Sequence, residues 1–292
     1  MEAIKGRIGL ILVAIIWGSG FAASALALES FNTNQILAMR FTIAFLICLL
    51  VYKNDLKLIN FSVLKKGIII GIFLFLAFMF QTIGLKYTSA SKNAFLTAVN
   101  IVIVPFLSFI ILRKKVEKQE LLGAIVTLLG IALLSFDSSG IGGINKGDIL
   151  TLVCAVFFAL QIFYTDFHVK DINPGIIMIG QMGTAALLSW ILVALNNDIR
   201  MGVTIDNIKP ILYLGVISTM VAYGIQTWAQ KRVSSTEAAV ILSTEAFFGM
   251  LASVIILNEK LSLGIVIAAI LIFAGVVIVQ YKPRNKSGCA QF

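Results

Sequence analysis

Ten runs of mostly apolar residues divide this chain, at 8–28, 33–52, 67–86, 92–112, 119–136, 147–166, 174–195, 208–230, 235–257 and 262–281. Each is close to the roughly 20 residues with which an α-helix crosses ~30 Å of hydrocarbon. The expected fold is an all-α membrane protein of ten transmembrane helices. Only 13% of residues are charged, against about a quarter in soluble domains, and the mean hydropathy is +1.00. The connections are short, so no extramembrane domain is expected to hold an active site or to bind nucleic acid. The net charge of +9 needs another explanation.

The distribution of the basic residues supplies it. If the N-terminus is cytoplasmic, sixteen Lys and Arg residues fall on that side, among them Lys5, Arg7, Lys65, Lys66, Arg113, Lys114, Lys115, Lys231 and Arg232. Six fall on the other: Lys86, Lys92, Lys146, Arg200, Lys209 and Lys260. The positive-inside rule then puts both termini in the cytoplasm, as in a multi-pass protein of the cell (plasma or inner) membrane. Lys5, Arg7, the apolar run and Ala23-Ser24-Ala25 imitate a cleavable secretory signal. The run continues to Leu28 and has a counterpart later in the chain, so cleavage is not expected. Cys48, Cys154 and Cys289 have no metal-type spacing and read as reduced. His168, the only histidine, lacks further ligands. No metal or cofactor is expected.

The chain also repeats itself. At an offset of 145, residues 81–117 lie over 226–262 without a gap, and ten of the 37 pairs are identical. Gln81/Gln226, Thr82/Thr227, Lys86/Lys231, Ser89/Ser234 and Ala94/Ala239 open the match, and Asn100 falls on Glu245. Upstream an offset of 141 lays Gly6 on Gly147, Trp17-Gly18 on Phe158-Ala159 and Arg40 on Gln181. Five helices per repeat is an odd number, so the second half must cross in the opposite sense, giving inverted repeats about an axis in the membrane plane. The expected division is a first repeat at 1–137, a linker at 138–146, a second repeat at 147–282 and a cytoplasmic tail at 283–292. The linker is rich in turn formers, and its glycines lack the strand and the Gly-Lys-Ser/Thr of a phosphate loop.

Several segments together resemble the EamA-type members of the drug/metabolite transporter superfamily. They are AIIWGSGF (14–21), the pair Arg40-Phe41, GLKYTSASKNAFLT (84–97) leading to Pro105, and LLGAIVTLLGIALL (121–134). In the second half they are GDILTLVCAVFFALQ (147–161), the long stretch 229–262 and the glycine-bearing run around Gly275. The resemblance covers nearly the whole chain. It implies helices 1 to 4 and 6 to 9 around a central cavity, with helices 5 and 10 outside. It also implies transport of small metabolites, often amino acids or related amines, commonly outward. One departure is Ala246, where many members carry proline, which removes the usual reason for a kink there.

Charges deep in a bilayer cost ~2.5–3.5 kcal/mol on insertion scales and are functional candidates by default. Glu245 lies about mid-depth in the ninth run and Arg40 within the second. The two could pair with each other in the empty state, hold opposite ends of a zwitterion, or serve only to fix helix packing. Glu245 is also the candidate for coupling to protons, since burial favours the neutral carboxyl while Arg stays charged. Asn93, Thr97, Asn100 and Val104 share one face of the fourth run by their spacing. Trp17, mid-depth in the first run, could wall a ligand. Gln161, Gln181 and Tyr223 complete the substrate-binding candidates. Hydrogen bonding between helices, or packing for Trp17, is the plain alternative for each of these. Pro105 is the hinge candidate. Gly123, Gly130 and Gly275 are expected to let helices approach closely, within the chain or between two copies in a homodimer.

These features point to a secondary active or facilitative transporter, exporting a small-molecule substrate across the lipid bilayer by alternating access. A proton or counter-substrate would be its other partner. The alternatives are a membrane scaffold or sensor without flux, and an intramembrane enzyme, for which Gly-x-Ser-x-Gly and His-Glu-x-x-His motifs are missing.

Overall fold

The computed structural model describes residues 2–58, 60–113, 118–137, 145–260 and 262–280. Most of the expected linker (138–144) and all of the expected tail lie outside them. Every regular element among the described residues is helical. In the first half these are α1 (Glu2–Leu28), α2 (Thr33–Val51), a 3₁₀ turn (Asp55–Leu58), α3 (Phe61–Leu85), α4 (Ala90–Thr97), α5 (Asn100–Leu112) and α6 (Lys118–Asp137). In the second they are α7 (Lys146–Val169), α8 (Pro174–Leu195), α9 (Ile208–Leu212), a π-helix (Tyr213–Val221), α10 (Ala222–Gln230), α11 (Ser235–Leu242), α12 (Glu245–Leu257) and α13 (Leu263–Gln280).

Taken as continuous rods where two elements abut, eight segments are long and apolar enough to cross a membrane. The remaining two, α6 and α13, contain shorter apolar stretches, Leu121–Gly130 and Val266–Gly275. Side-chain caps fix where the rods start. Asn32 and Asn145 form reciprocal capping boxes with Gln35 and Asp148, and Asn60, Ser89 and Ser234 each accept an N–H from the first turn of their helix. Pro174 occupies the first turn of α8, where its missing N–H costs nothing.

The repeat visible in the sequence reappears in the backbone. The bounds of α4 and α5 differ from those of α11 and α12 by 145 at every end. Both α5 and α12 stop at a residue in the left-handed region, Arg113 and Asn258, each at φ 53°. Between the paired pieces the chain tightens in the same way. Val99 N–H bonds to Leu96 O and Ile101 N–H to Ala98 O, while Thr244 N–H bonds to Ile241 O and Ala246 N–H to Ser243 O. These i to i−3 bonds replace the α-helical ladder.

The break in the second half corrects an expectation. It falls at Ser243-Thr244 with no proline nearby, whereas in the first half Pro105 lies inside α5, beyond the break at Ala98-Val99. Proline is therefore not what interrupts the helix in the second half, and in the first half the interruption comes before Pro105. Ser243 and Thr244 hydroxyls turn back onto Val240 O and Ile241 O, offering the backbone an alternative to the helical ladder.

Helices pack mainly across the halves: α3 against α7 and α8, α2 against α8 and the π-helix, α1 against α12 and α10, and α6 against α13. The two repeats thus share one core instead of forming separate units. Small residues set the close crossings. A β-carbon at Gly180 would lie 2.8 Å from Gly67 Cα, and one at Gly275 would meet Thr127 and sit 2.7 Å from Gly123 O. Gly123 and Gly130 are buried. The small-residue contact weighed between two copies is made within one chain.

Candidate functional site

Helix packing leaves a small central cavity of about 30 Å³, room for on the order of two waters. Trp17, Gly20, Phe21 and Ser24 of α1, Arg40 of α2, Phe78 and Gln81 of α3 and Asn100 of α5 line it from the first half. Phe158, Gln161 and Ile162 of α7, Ser218 of the π-helix, Tyr223 of α10 and Glu245 of α12 line it from the second. Trp17/Phe158, Gly20/Gln161 and Phe21/Ile162 are equivalent at the 141 offset, and Phe78/Tyr223 and Asn100/Glu245 at the 145 offset. The lining is thus made largely of repeat-related pairs.

Four of the rings that line it touch one another. Trp17 meets Tyr223 with centroids 4.8 Å apart, Phe158 meets Phe78 at 5.1 Å, and Phe78 and Tyr223 join the two contacts at 6.1 Å. The first two contacts are images of each other under the repeat. Edge-on and tilted geometries of this kind are the favoured ones for ring quadrupoles.

Charge enters from two sides. The Arg40 guanidinium lies 4.0 Å from the Phe78 centroid, and its Nε donates to Thr219 Oγ1 at 3.0 Å. Its Nη2 is buried with no hydrogen-bond partner among the described residues. Glu245, at the first position of α12 immediately after the break, is buried and faces the cavity. Among the described residues the two charges do not pair: Arg40 is drawn to Thr219 and the Phe78 face instead. Asn100 Oδ1 and Tyr223 Oη are likewise buried and unpartnered.

The π-helix explains the Arg40 geometry. Its wider turn spreads the backbone at Ser218 and Thr219. Thr219 holds Arg40, and Ser218 O accepts the Trp17 indole N–H at 2.9 Å. At the equivalent place in the first half, α3 remains a regular helix.

Of the nine substrate-binding candidates, Trp17, Arg40, Asn100, Gln161, Tyr223 and Glu245 line the cavity and Asn93, Thr97 and Gln181 do not. Asn93 Nδ2 donates to Gln81 O at 3.2 Å and Thr151 Oγ1 at 2.8 Å, and Thr97 Oγ1 accepts from Gln81 Nε2 at 3.2 Å. These two residues tie α3, α4 and α7 together. Gln181 Oε1 accepts from Gln161 Nε2 at 3.3 Å, which orients a residue that does face the cavity. Asn93 and Asn100 part company because the break at Ala98-Val99 interrupts the helical register that was to align them. Phe78, Phe158 and Ser218 were not among the candidates. For the two phenylalanines a signal existed, since the repeat pairs them with Tyr223 and Trp17. No sequence pattern announced the π-helix.

The family model described as "EamA-like transporter family" matches residues 4–136 and again 145–281. An uncharacterized transporter of Archaeoglobus fulgidus is 34% identical over 282 residues, spanning 97% of this chain and 88% of that protein. An uncharacterized transporter of Clostridium kluyveri is 26% identical over 97% of this chain and 95% of its own length. A solved crystal structure superposes with a TM-score of 0.72 at 17% identity, covering 93% of this chain and 95% of the other, which speaks to the fold alone.

Proposed function

Because the chain belongs to the EamA-like transporter family, matched over both of its halves, we propose that it carries a small metabolite through the central cavity by alternating access. The observation that carries this reading is a cavity between the halves holding Arg40 and Glu245, unpaired with each other, beside a wall of four rings. A fixed guanidinium and a carboxylate at either side suit the carboxylate and ammonium of an amino acid or the amine of a related compound, with the rings against its apolar part. In its present size the cavity has room for on the order of two waters, so a metabolite fits only if the surrounding helices move apart, as alternating access requires.

The finer organisation belongs to the same proposal. Ten helices cross the bilayer as two inverted repeats, 1–137 and 147–282, with both termini in the cytoplasm of a cell-membrane protein, and transport runs outward. The five cavity residue pairs that exchange under the repeat offsets support an axis through the site. Glu245 is the residue at which a proton or counter-substrate would couple to the cargo. The outer apolar faces of α6 and α13, with Leu121, Leu128, Ile270 and Phe273 exposed, meet lipid or a second copy of the chain.

Counterflow in proteoliposomes tests the reading, with labelled amino acids, amines and choline-like cations offered to wild type, Arg40→Ala and Glu245→Gln. Exchange of one compound by wild type, lost in both variants, is the expected result. Wild type that exchanges a compound equally well in both variants would leave transport standing and remove this site.

A further inference from the structure

Two ion pairs sit at equivalent places in the two halves with their charges exchanged. Lys92 Nζ donates to Asp148 Oδ2 at 2.7 Å, joining α4 to α7, and the two side chains are 5% and 1% exposed. Arg7 pairs with Glu237, joining α1 to α11, and those side chains are 54% and 32% exposed. The 145 offset carries Lys92 to Glu237, and the 141 offset carries Arg7 to Asp148. Each pair is therefore the image of the other with cation and anion swapped. The local settings agree, because Lys92 and Glu237 both occupy the third position of helices capped by Ser89 and Ser234.

Backbone packing beside the pairs differs in the same direction as their burial. A β-carbon built at Gly147 would lie 2.6 Å from Gly84 O and 2.9 Å from Tyr87 Cβ. At the equivalent Gly6 it would lie 3.4 Å from Ala229 O and 3.2 Å from Arg232 Cβ. The end of the bundle at Lys92–Asp148 is thus drawn tighter than its image at Arg7–Glu237. Asp148 is further engaged by Thr88 Oγ1 at 3.1 Å and by the Asn145 N–H at 2.9 Å.

We propose that Lys92–Asp148 and Arg7–Glu237 are the two gates of the cavity, tightened one at a time as the halves exchange conformations. This rests on the transport reading above. When the halves swap, the Arg7 end takes up the buried geometry now seen at Lys92, and the Lys92 end loosens to the exposed geometry now seen at Arg7. A buried ion pair suits a latch because its attraction is offset by the several kcal/mol each ion loses on leaving water, so closing and opening stay near balance. Removing one partner tips that balance, since the other charge no longer tolerates burial.

The test uses the full chain in proteoliposomes, with Cys48, Cys154 and Cys289 replaced by alanine and one reporter thiol placed in the cavity by Ser24→Cys. A membrane-impermeant maleimide is added to one face or the other, and counterflow by the same preparations is measured. Lys92→Gln and Asp148→Asn are expected to speed labelling from one face only, by about tenfold, as a minor open state becomes populated. Arg7→Gln and Glu237→Gln are expected to slow it from that same face, because the state in which their pair is buried is the one open there. The exchanged pair Lys92→Asp with Asp148→Lys should restore the slow rate, which a variant that merely misfolds would not. Unchanged labelling in all four single variants, or acceleration from the same face for both pairs, overturns the gate assignment while counterflow by the wild-type chain stands. A wild-type chain that exchanges no compound at all counts instead against the transport reading.

Discussion

Arg40 lies with its guanidinium 4.0 Å from the centre of the Phe78 ring, held by a 3.0 Å bond from Nε to Thr219 Oγ1 and with Nη2 buried and without a hydrogen-bond partner among the described residues. A planar cation on an aromatic face with one fork nitrogen free is poised to take a carboxylate. Lysine has neither the plane nor the fork. Arg40→Lys is therefore expected to lower counterflow by at least about tenfold, in line with ~1.5–3 kcal/mol for a hydrogen bond to a charged group. Thr219→Val, which frees the guanidinium without removing it, should fall between wild type and Arg40→Lys. Equal activity in Arg40→Lys and wild type would show that the fork is not used.

Glu245 stands immediately after the helix break and lines the same cavity as Arg40, with no ion pair between them among the described residues. If it couples transport to a proton gradient, Glu245→Gln should abolish accumulation driven by an imposed pH difference and flatten the pH dependence of transport. Measuring both in wild type and variant decides the matter, and an unaltered pH dependence in Glu245→Gln would remove the residue from coupling.

Asn93 is expected to behave as a structural residue despite its polarity and depth. Asn93→Leu loses bonds to Gln81 O and Thr151 Oγ1, each worth about 0.6 kcal/mol or somewhat more between membrane helices. Thermal stability in detergent should drop while the apparent affinity for cargo stays as in wild type. A changed affinity with unchanged stability would return Asn93 to the binding site.

Gly18 marks the tightest approach of α1 to α12. A β-carbon there would collide with Phe248 Cβ and lie 2.7 Å from Gly249 N. Because backbone must move to admit it, Gly18→Ala should destabilise by ~1–3 kcal/mol, the usual range for overpacking. Gly202, with nothing within 4 Å of the same construction, is the control at which alanine should be tolerated. Equal melting of the two variants would contradict the close crossing.

Pro105→Ala should leave transport near wild type, because the second half makes the same break with Met250 in the equivalent place. Loss of transport in this variant would restore proline as the hinge.

Much of the architecture was legible because two of its causes are local. Apolar run length placed the rods, while the side-chain caps at Ser89, Asn145 and Ser234 that fix three of their starts went unread. Repeat offsets nominated Asn100 and Glu245 together and, followed further, would have nominated Phe78 and Phe158. What stayed hidden depends on tertiary context. Asn93 and Thr97 sit at ideal helical spacing from Asn100, yet the break turns the shared face into two, and nothing in Ala98-Val99 announces it. The π-helix is a second case. Its residues are ordinary apolar ones, and only packing against Arg40 and Trp17 shows why the widened turn falls at Ser218 and Thr219. The ring wall escaped because phenylalanines in an apolar run carry no signal of their own.

The most direct test of the central claim is a structure of the chain in lipid nanodiscs with the compound identified by counterflow bound to it. Density for that compound between the Arg40 guanidinium and the Glu245 carboxylate, against the rings of Trp17, Phe78, Phe158 and Tyr223, is the result expected here. Density elsewhere in the bundle, with those two charges and four rings undisturbed, would contradict it.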